Sequence, residues 1–169
     1  NDNAVKDIIH AVNEILDNYD IDYVKWDNNR EVADNFSYYL NKDRQESIDY
    51  LMTLGVYKMY EGIVETHPNI FFEGCASGGG KFDLGVLSYF PQIWCSDETD
   101  PVQRLFIQYG TGYGYPLSTI SSHVSKCPVT SYRAKSNIAM FGTYGYEFNP
   151  TKLSKEEKEE LKENEIRYH

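Results

Sequence analysis

Asp22-Tyr23-Val24-Lys25-Trp26-Asp27-Asn28-Asn29-Arg30 is the stretch whose reading decides the fold. Ile21, Tyr23, Val24 and Trp26 supply a short buried strand that stops in polar, turn-forming residues. Lys25 sits inside it, where a charge is costly to bury without a partner. Asp27 follows two residues later, and side chains two apart on a strand share a face. The expectation is an ammonium and a carboxylate emerging side by side at a strand's C-terminal end. In parallel α/β folds, that edge is where active sites are built.

On the N-terminal side, Val5, Ile8, Ile9, Val12, Ile15, Leu16 and Tyr19 recur at helical spacing and predict a helix over 3–19, capped by Asp2 or Asn3. On the C-terminal side, a helix is predicted over 43–63, with Ile48, Leu51, Met52, Val56, Met59, Tyr60 and Ile63 inward. Residues 69–75 read as a second strand, which ends in Ala76-Ser77-Gly78-Gly79-Gly80, a loop that lets backbone approach a ligand closely. Residues 89–97 hold a third strand ending in acid. Asp100-Pro101 then forms a cap and first turn for a helix through about Tyr109. A fourth strand near 115–118 leads into a polar loop holding His123. A helix over 133–140 and a strand over 141–145 follow. Ser154 and Glu157 form a capping box for a charged, solvated final helix to about Tyr168.

This alternation is a parallel α/β pattern. An open doubly wound sheet and a (β/α)8 barrel compete. The consecutive glycines do not match a dinucleotide fingerprint, and Lys81-Phe82-Asp83 follows them rather than a helix start. A barrel usually needs about 250 residues. The 169 residues here, with about five strands, read as part of one.

The net charge of −10, without a basic block, argues against nucleic acid and anionic membranes as partners. No apolar run approaches the ~20 residues needed to span a bilayer. The 15 tyrosines suit stacking on sugar faces, although tyrosines equally fill cores. Cys75, Cys95 and Cys127 are too few and scattered for a disulfide framework, which fits a reducing, cytoplasmic setting.

Strand ends therefore carry Lys25 and Asp27, then Cys75 with Gly78, then Asp97. The simplest chemistry using two carboxylates on separate strand ends is glycoside hydrolysis, which needs no metal and no cofactor. Asp27 beside Lys25 is expected to stay ionised, as a nucleophile must. Asp97, near Glu98 and Asp100, is expected to hold its proton longer, as an acid must. A plainer reading makes each Asp a cap or turn residue and Cys75 a small apolar filler. A metal reading through Asp97, Asp100, Cys75 and His123 mixes ligand types without a local spacing.

Four segments bear a resemblance. Residues 23–30 (YVKWDNNR) resemble the KWDxNR segment of glycoside hydrolase family 36, the bacterial α-galactosidases. Residues 75–83 (CASGGGKFD) resemble its CxSGGGRFD loop, 91–100 (PQIWCSDETD) its PQxWxSDDTD segment, and 141–147 (FGTYGYE) its FGTxGYE segment. They occur in the family's order and cover most of residues 20–150. Lys81 replaces the usual arginine, Asn28 the usual methionine and Glu98 the usual second aspartate, and Lys126–Arg133 is shorter than in the family.

The resemblance implies a retaining α-galactosidase acting on melibiose- or raffinose-type oligosaccharides. Asp27 would be nucleophile and Asp97 acid/base, with Lys25, Cys75 and Gly78 holding the galactose. It implies one partial (β/α)8 TIM barrel domain over 1–169, holding strands four to eight. The first three strands and the accessory β domains would belong to chain outside these residues. The open edges of such a part predict a homo-oligomer or cover by further chain. A galactosyl-transferring relative and an inactive, structural half-barrel are the competing readings.

Overall fold

The structure is a computed structural model describing residues 1–29 and 35–169; Arg30, the last residue of the opening stretch, lies outside them. Helix α1 (Asp2–Asn18) precedes strand β1 (Tyr23–Asp27), and α2 (Ile48–Val64) precedes β2 (Phe71–Cys75). A loop with one 3-10 turn leads to β3 (Gln92–Trp94); α3 (Pro101–Thr111), β4 (Ile120–Ser125), α4 (Tyr132–Ala139), β5 (Thr143–Glu147) and α5 (Lys155–Tyr168) complete the chain. The strands form one sheet in chain order, β1-β2-β3-β4-β5, and every pairing is parallel. The result is a curled half-barrel, the partial (β/α) barrel expected from the sequence.

The apolar stripes of the first two helices cover the outer face. Leu16 of α1 and Met59, Tyr60 and Ile63 of α2 pack with Phe72, Val86, Phe90 and Ile93 in one buried cluster. Phe72 stacks on Phe90 with ring centroids 5.7 Å apart. Each such side chain contributes about 1.5–3 kcal/mol on burial. Ile8, Ile15, Tyr19 and Met52, expected inward, are exposed, because the apolar arc is wider than the contact between helix and sheet. Val124, Ala139, Leu153 and Leu161 form a second cluster under α4 and α5. The α5 capping box is present, with Ser154 N–H donating to Glu157 Oε2 at 2.7 Å and Glu157 N–H donating to Ser154 Oγ at 3.2 Å.

Three local expectations need correction. Residues 42–47 form a 3-10 segment, so α2 begins only at Ile48. Only Gln92–Trp94 of the third apolar run pairs as strand. The fourth strand is Ile120–Ser125, not 115–118, and it contains His123 rather than leading to a loop that holds it. Its serines look like loop residues, yet Ser121 and Ser122 are buried with their hydroxyls bonded to Glu73 and Gln108.

Candidate active site

Parallel pairing puts residues of equal register on one face. Lys25 lies opposite Glu73 and Asp27 opposite Cys75, while Glu73 lies opposite Gln92. The inner face therefore carries Tyr23, Lys25 and Asp27 from β1, Glu73 and Cys75 from β2, Gln92 and Trp94 from β3, and Ser121 and His123 from β4. Charged and polar groups dominate it, the opposite of the packed outer face.

The C-terminal strand edge brings the predicted residues together. The Cys75 thiol sits beside the Asp27 carboxylate, its register partner across the strand pair, and near the Gly78 backbone N–H. Burial pushes the thiol's pKa up, so it remains a neutral donor. Asn28 N–H donates to Cys75 O at 2.9 Å, Ser77 N–H to Asn29 Oδ1 at 2.6 Å, and Lys81 Nζ to Asn28 O at 2.8 Å. The loops after β1 and β2 are thus tied into one rim. Burial lowers the Lys81 pKa.

Ser77 and Gly78 are both left-handed, at φ 48° and 79°. A Cβ on Gly78 would stand 2.7 Å from Asp97 N and 2.7 Å from Ser96 Cα. The glycine is required because the loop after β2 lies directly on the backbone that presents Asp97. The Asp97 carboxylate is aimed by a second contact, Trp94 Nε1–H donating to Asp97 Oδ1 at 3.0 Å. Its acidic neighbours are occupied elsewhere. Asp100 caps α3 by accepting from Val102 N and Gln103 N, and Glu98 Oε1 accepts from Asp100 N at 2.8 Å.

Lys25 departs from expectation. Its ion pair is with Glu73 Oε1, at 3.5 Å, rather than with Asp27, and its ammonium lies 4.5 Å from the centroid of the Trp94 ring. Residues two apart along a strand are about 6.6 Å apart, whereas neighbouring strands are about 4.8 Å apart. The cross-strand acid wins. Arg104 covers the same Trp94 ring at 4.2 Å, and the His123 ring packs against it at 4.7 Å. Burial, with Lys25 and Arg104 adding, holds the His123 pKa below its usual value, against an opposing pull from Glu73.

The metal reading gains nothing: Asp100 is a helix cap, His123 lies against Trp94, and no group of three metal-ligating side chains occurs among the described residues.

Sequence reasoning missed Glu73, Gln92, Trp94 and Ser121. Glu73 is fully buried, and its Oε2 accepts from Tyr23 OH at 2.7 Å, from Ser121 Oγ at 2.8 Å and from Gln92 Nε2. The two-residue rule that paired Lys25 with Asp27 also puts Glu73 on the face of Cys75, which would have found it.

A family profile described as Melibiase matches residues 1–169. The chain is 48% identical over 155 residues to a bifunctional α-galactosidase/sucrose kinase of Mediterraneibacter gnavus, covering 88% of this chain and 16% of that protein. It is 41% identical over 167 residues to an α-galactosidase of Pediococcus pentosaceus, covering 95% of this chain and 23% of the relative. The crystal structure of a family 36 α-galactosidase from Geobacillus stearothermophilus superposes with a TM-score of 0.95 at 40% identity, covering 99% of this chain and 24% of the other. A variant of that enzyme in complex with raffinose superposes with the same TM-score of 0.95, at 39% identity. The chain thus spans less than a quarter of the length of these proteins. With its whole length matched by the profile and about nine-tenths of it by relatives above 40% identity, it belongs to the melibiase family of α-galactosidases, glycoside hydrolase family 36.

Proposed function

We propose that the polypeptide carrying these residues hydrolyses terminal α-D-galactosidic bonds of melibiose- and raffinose-type oligosaccharides, with retention of configuration. Asp27 attacks the anomeric carbon while Asp97 protonates the departing glycosidic oxygen. Asp97 then takes a proton from water as that water releases galactose from the Asp27 ester. Lys25, the Cys75 thiol and the Gly78 backbone hold the sugar hydroxyls.

The observation that carries this reading is the shared strand edge. Asp27 closes β1, Asp97 follows β3, and the Cys75–Gly78 loop touches both, through the thiol on one side and the glycine backbone on the other. Related enzymes in complex with raffinose and with stachyose support the substrate class. A homo-oligomer joined through the open sheet edges, or cover of those edges by further chain of the polypeptide, belongs to the same proposal, as does a cytoplasmic setting, which rests on the three free thiols.

Turnover of an aryl α-galactoside by the complete polypeptide tests it, with aryl β-galactoside and α-glucoside as controls. Asp27→Asn and Asp97→Asn should each lose at least about 10³-fold in kcat, equivalent to about 4 kcal/mol of barrier. Near-normal turnover in either variant, or no preference for the α-galactoside, would overturn the assignment.

A further inference from the structure

Glu73 is fully buried, and its two carboxylate oxygens do different things. Oε2 takes three donors, from β1, β3 and β4, and so ties four strands together on the inner face. Oε1 is buried and accepts no hydrogen bond among the described residues. Lys25 Nζ lies 3.5 Å from it. A buried carboxylate with one oxygen unsatisfied is costly. The staple needs only Oε2, so it gives no reason for Oε1 to face the lysine. An amide oxygen in the Oε2 position could accept from the same donors, more weakly.

We propose that Glu73 is a positioning residue for the reaction assigned above: its Oε1 holds the Lys25 ammonium over the Trp94 ring. Lys25 has a flexible four-carbon stem and is about a third exposed. Without a fixed counter-charge its ammonium would sample solvent. Held between Glu73 and the Trp94 face, it is fixed on the inner face that also carries Asp27. The inference rests on the α-galactosidase reading, because the lysine's task is to bind a sugar hydroxyl.

Glu73→Gln separates the two tasks. The donors of Tyr23, Gln92 and Ser121 require an acceptor, so the amide oxygen takes the Oε2 position and the NH₂ faces Lys25. The staple survives, but an ammonium cannot bond an NH₂ donor. In the complete polypeptide, Glu73→Gln should lose about 10–100-fold in kcat/KM, the scale of a misplaced contact group. Glu73→Gln/Lys25→Met should be no worse than Lys25→Met alone. Ser121→Ala, which removes one of the staple's three donors and leaves Oε1 facing Lys25, should lower the melting temperature and cost far less kcat/KM than Glu73→Gln. In a crystal structure of Glu73→Gln, Lys25 Nζ should have left the Trp94 ring.

Additive losses in the double variant, activity losses in Ser121→Ala matching those of Glu73→Gln, or an unmoved lysine would each overturn the proposal. If Glu73→Gln fails to fold, the Ser121→Ala kinetics decide: a loss of about 10-fold or more in kcat/KM there makes Glu73 a staple and nothing more, and a smaller loss supports the proposal. Absence of α-galactoside turnover in the unmutated protein would instead refute the functional reading, and the crystallographic position of Lys25 would still test the pairing.

Discussion

The Trp94 indole N–H donates to Asp97 Oδ1 at 3.0 Å, so the side chain that closes β3 aims the carboxylate three residues further on. The same ring carries Lys25 on its face at 4.5 Å and Arg104 at 4.2 Å. Trp94 thereby couples the two halves of the strand edge, one contact to the acid and one to the cation. Trp94→Phe keeps an aromatic face, though a smaller one, and removes the N–H. A hydrogen bond to a charged group is worth about 1.5–3 kcal/mol, so kcat should fall about 10–100-fold with KM little changed. Steady-state kinetics of this variant check it, and an unchanged kcat would show that Asp97 is aimed by something else.

Gly78 offers a steric test. A methyl group there meets Asp97 N and Ser96 Cα at 2.7 Å, at a backbone φ of 79°. Gly78→Ala should destabilise the chain by about 1–3 kcal/mol and displace the segment that carries Asp97. Chemical denaturation gives the first quantity. Gly55, with open space around it, is the control, and Gly55→Ala in α2 should leave stability unchanged or raise it by up to about 1 kcal/mol.

His123 gives a pH dependence of known sign. Its pKa in the folded chain lies below the ordinary 6.5, chiefly through burial. The unfolded chain therefore binds a proton more readily, and stability falls as pH drops below about 6.5. His123→Gln should flatten the dependence of unfolding free energy on pH between about 7 and 5 relative to the unmutated chain. Parallel curves for the two proteins would contradict the burial argument.

The five-stranded sheet ends in β1 on one side and β5 on the other. A parallel edge offers unpaired backbone groups, and the inner face beside β1 carries exposed Tyr23 and Asp27. The isolated chain of residues 1–169 should self-associate at micromolar concentration and have little turnover, because a sugar held on one side only lacks orientation. Sedimentation and an aryl α-galactoside assay check both. A monomer with high activity would contradict the half-barrel account.

Much of this was legible in the sequence because single residues have single consequences. The apolar residues Ile21, Tyr23, Val24 and Trp26 ahead of a polar stop located β1, Asp100-Pro101 marked the start of α3, and Ser154 with Glu157 marked that of α5. The failures share a cause: partners lay on other strands. Ile120–Ser125 reads as polar loop until Glu73 and Gln108 are present to bond its serines. Lys25 finds its acid across the sheet rather than along the strand, and no local spacing reports that. Gly78 was legible as a close approach to something, but that the something is Asp97 backbone required the fold.

The central claim is that Asp27 forms the covalent bond to the sugar. Its most direct test is Asp27→Ala in the complete polypeptide, given an aryl α-galactoside and azide, with the product identified by NMR. Azide entering the space left by the carboxylate attacks the face opposite the leaving group, so the account predicts restored turnover and β-galactosyl azide. Formation of α-galactosyl azide, or turnover without azide close to that of the unmutated enzyme, would contradict it.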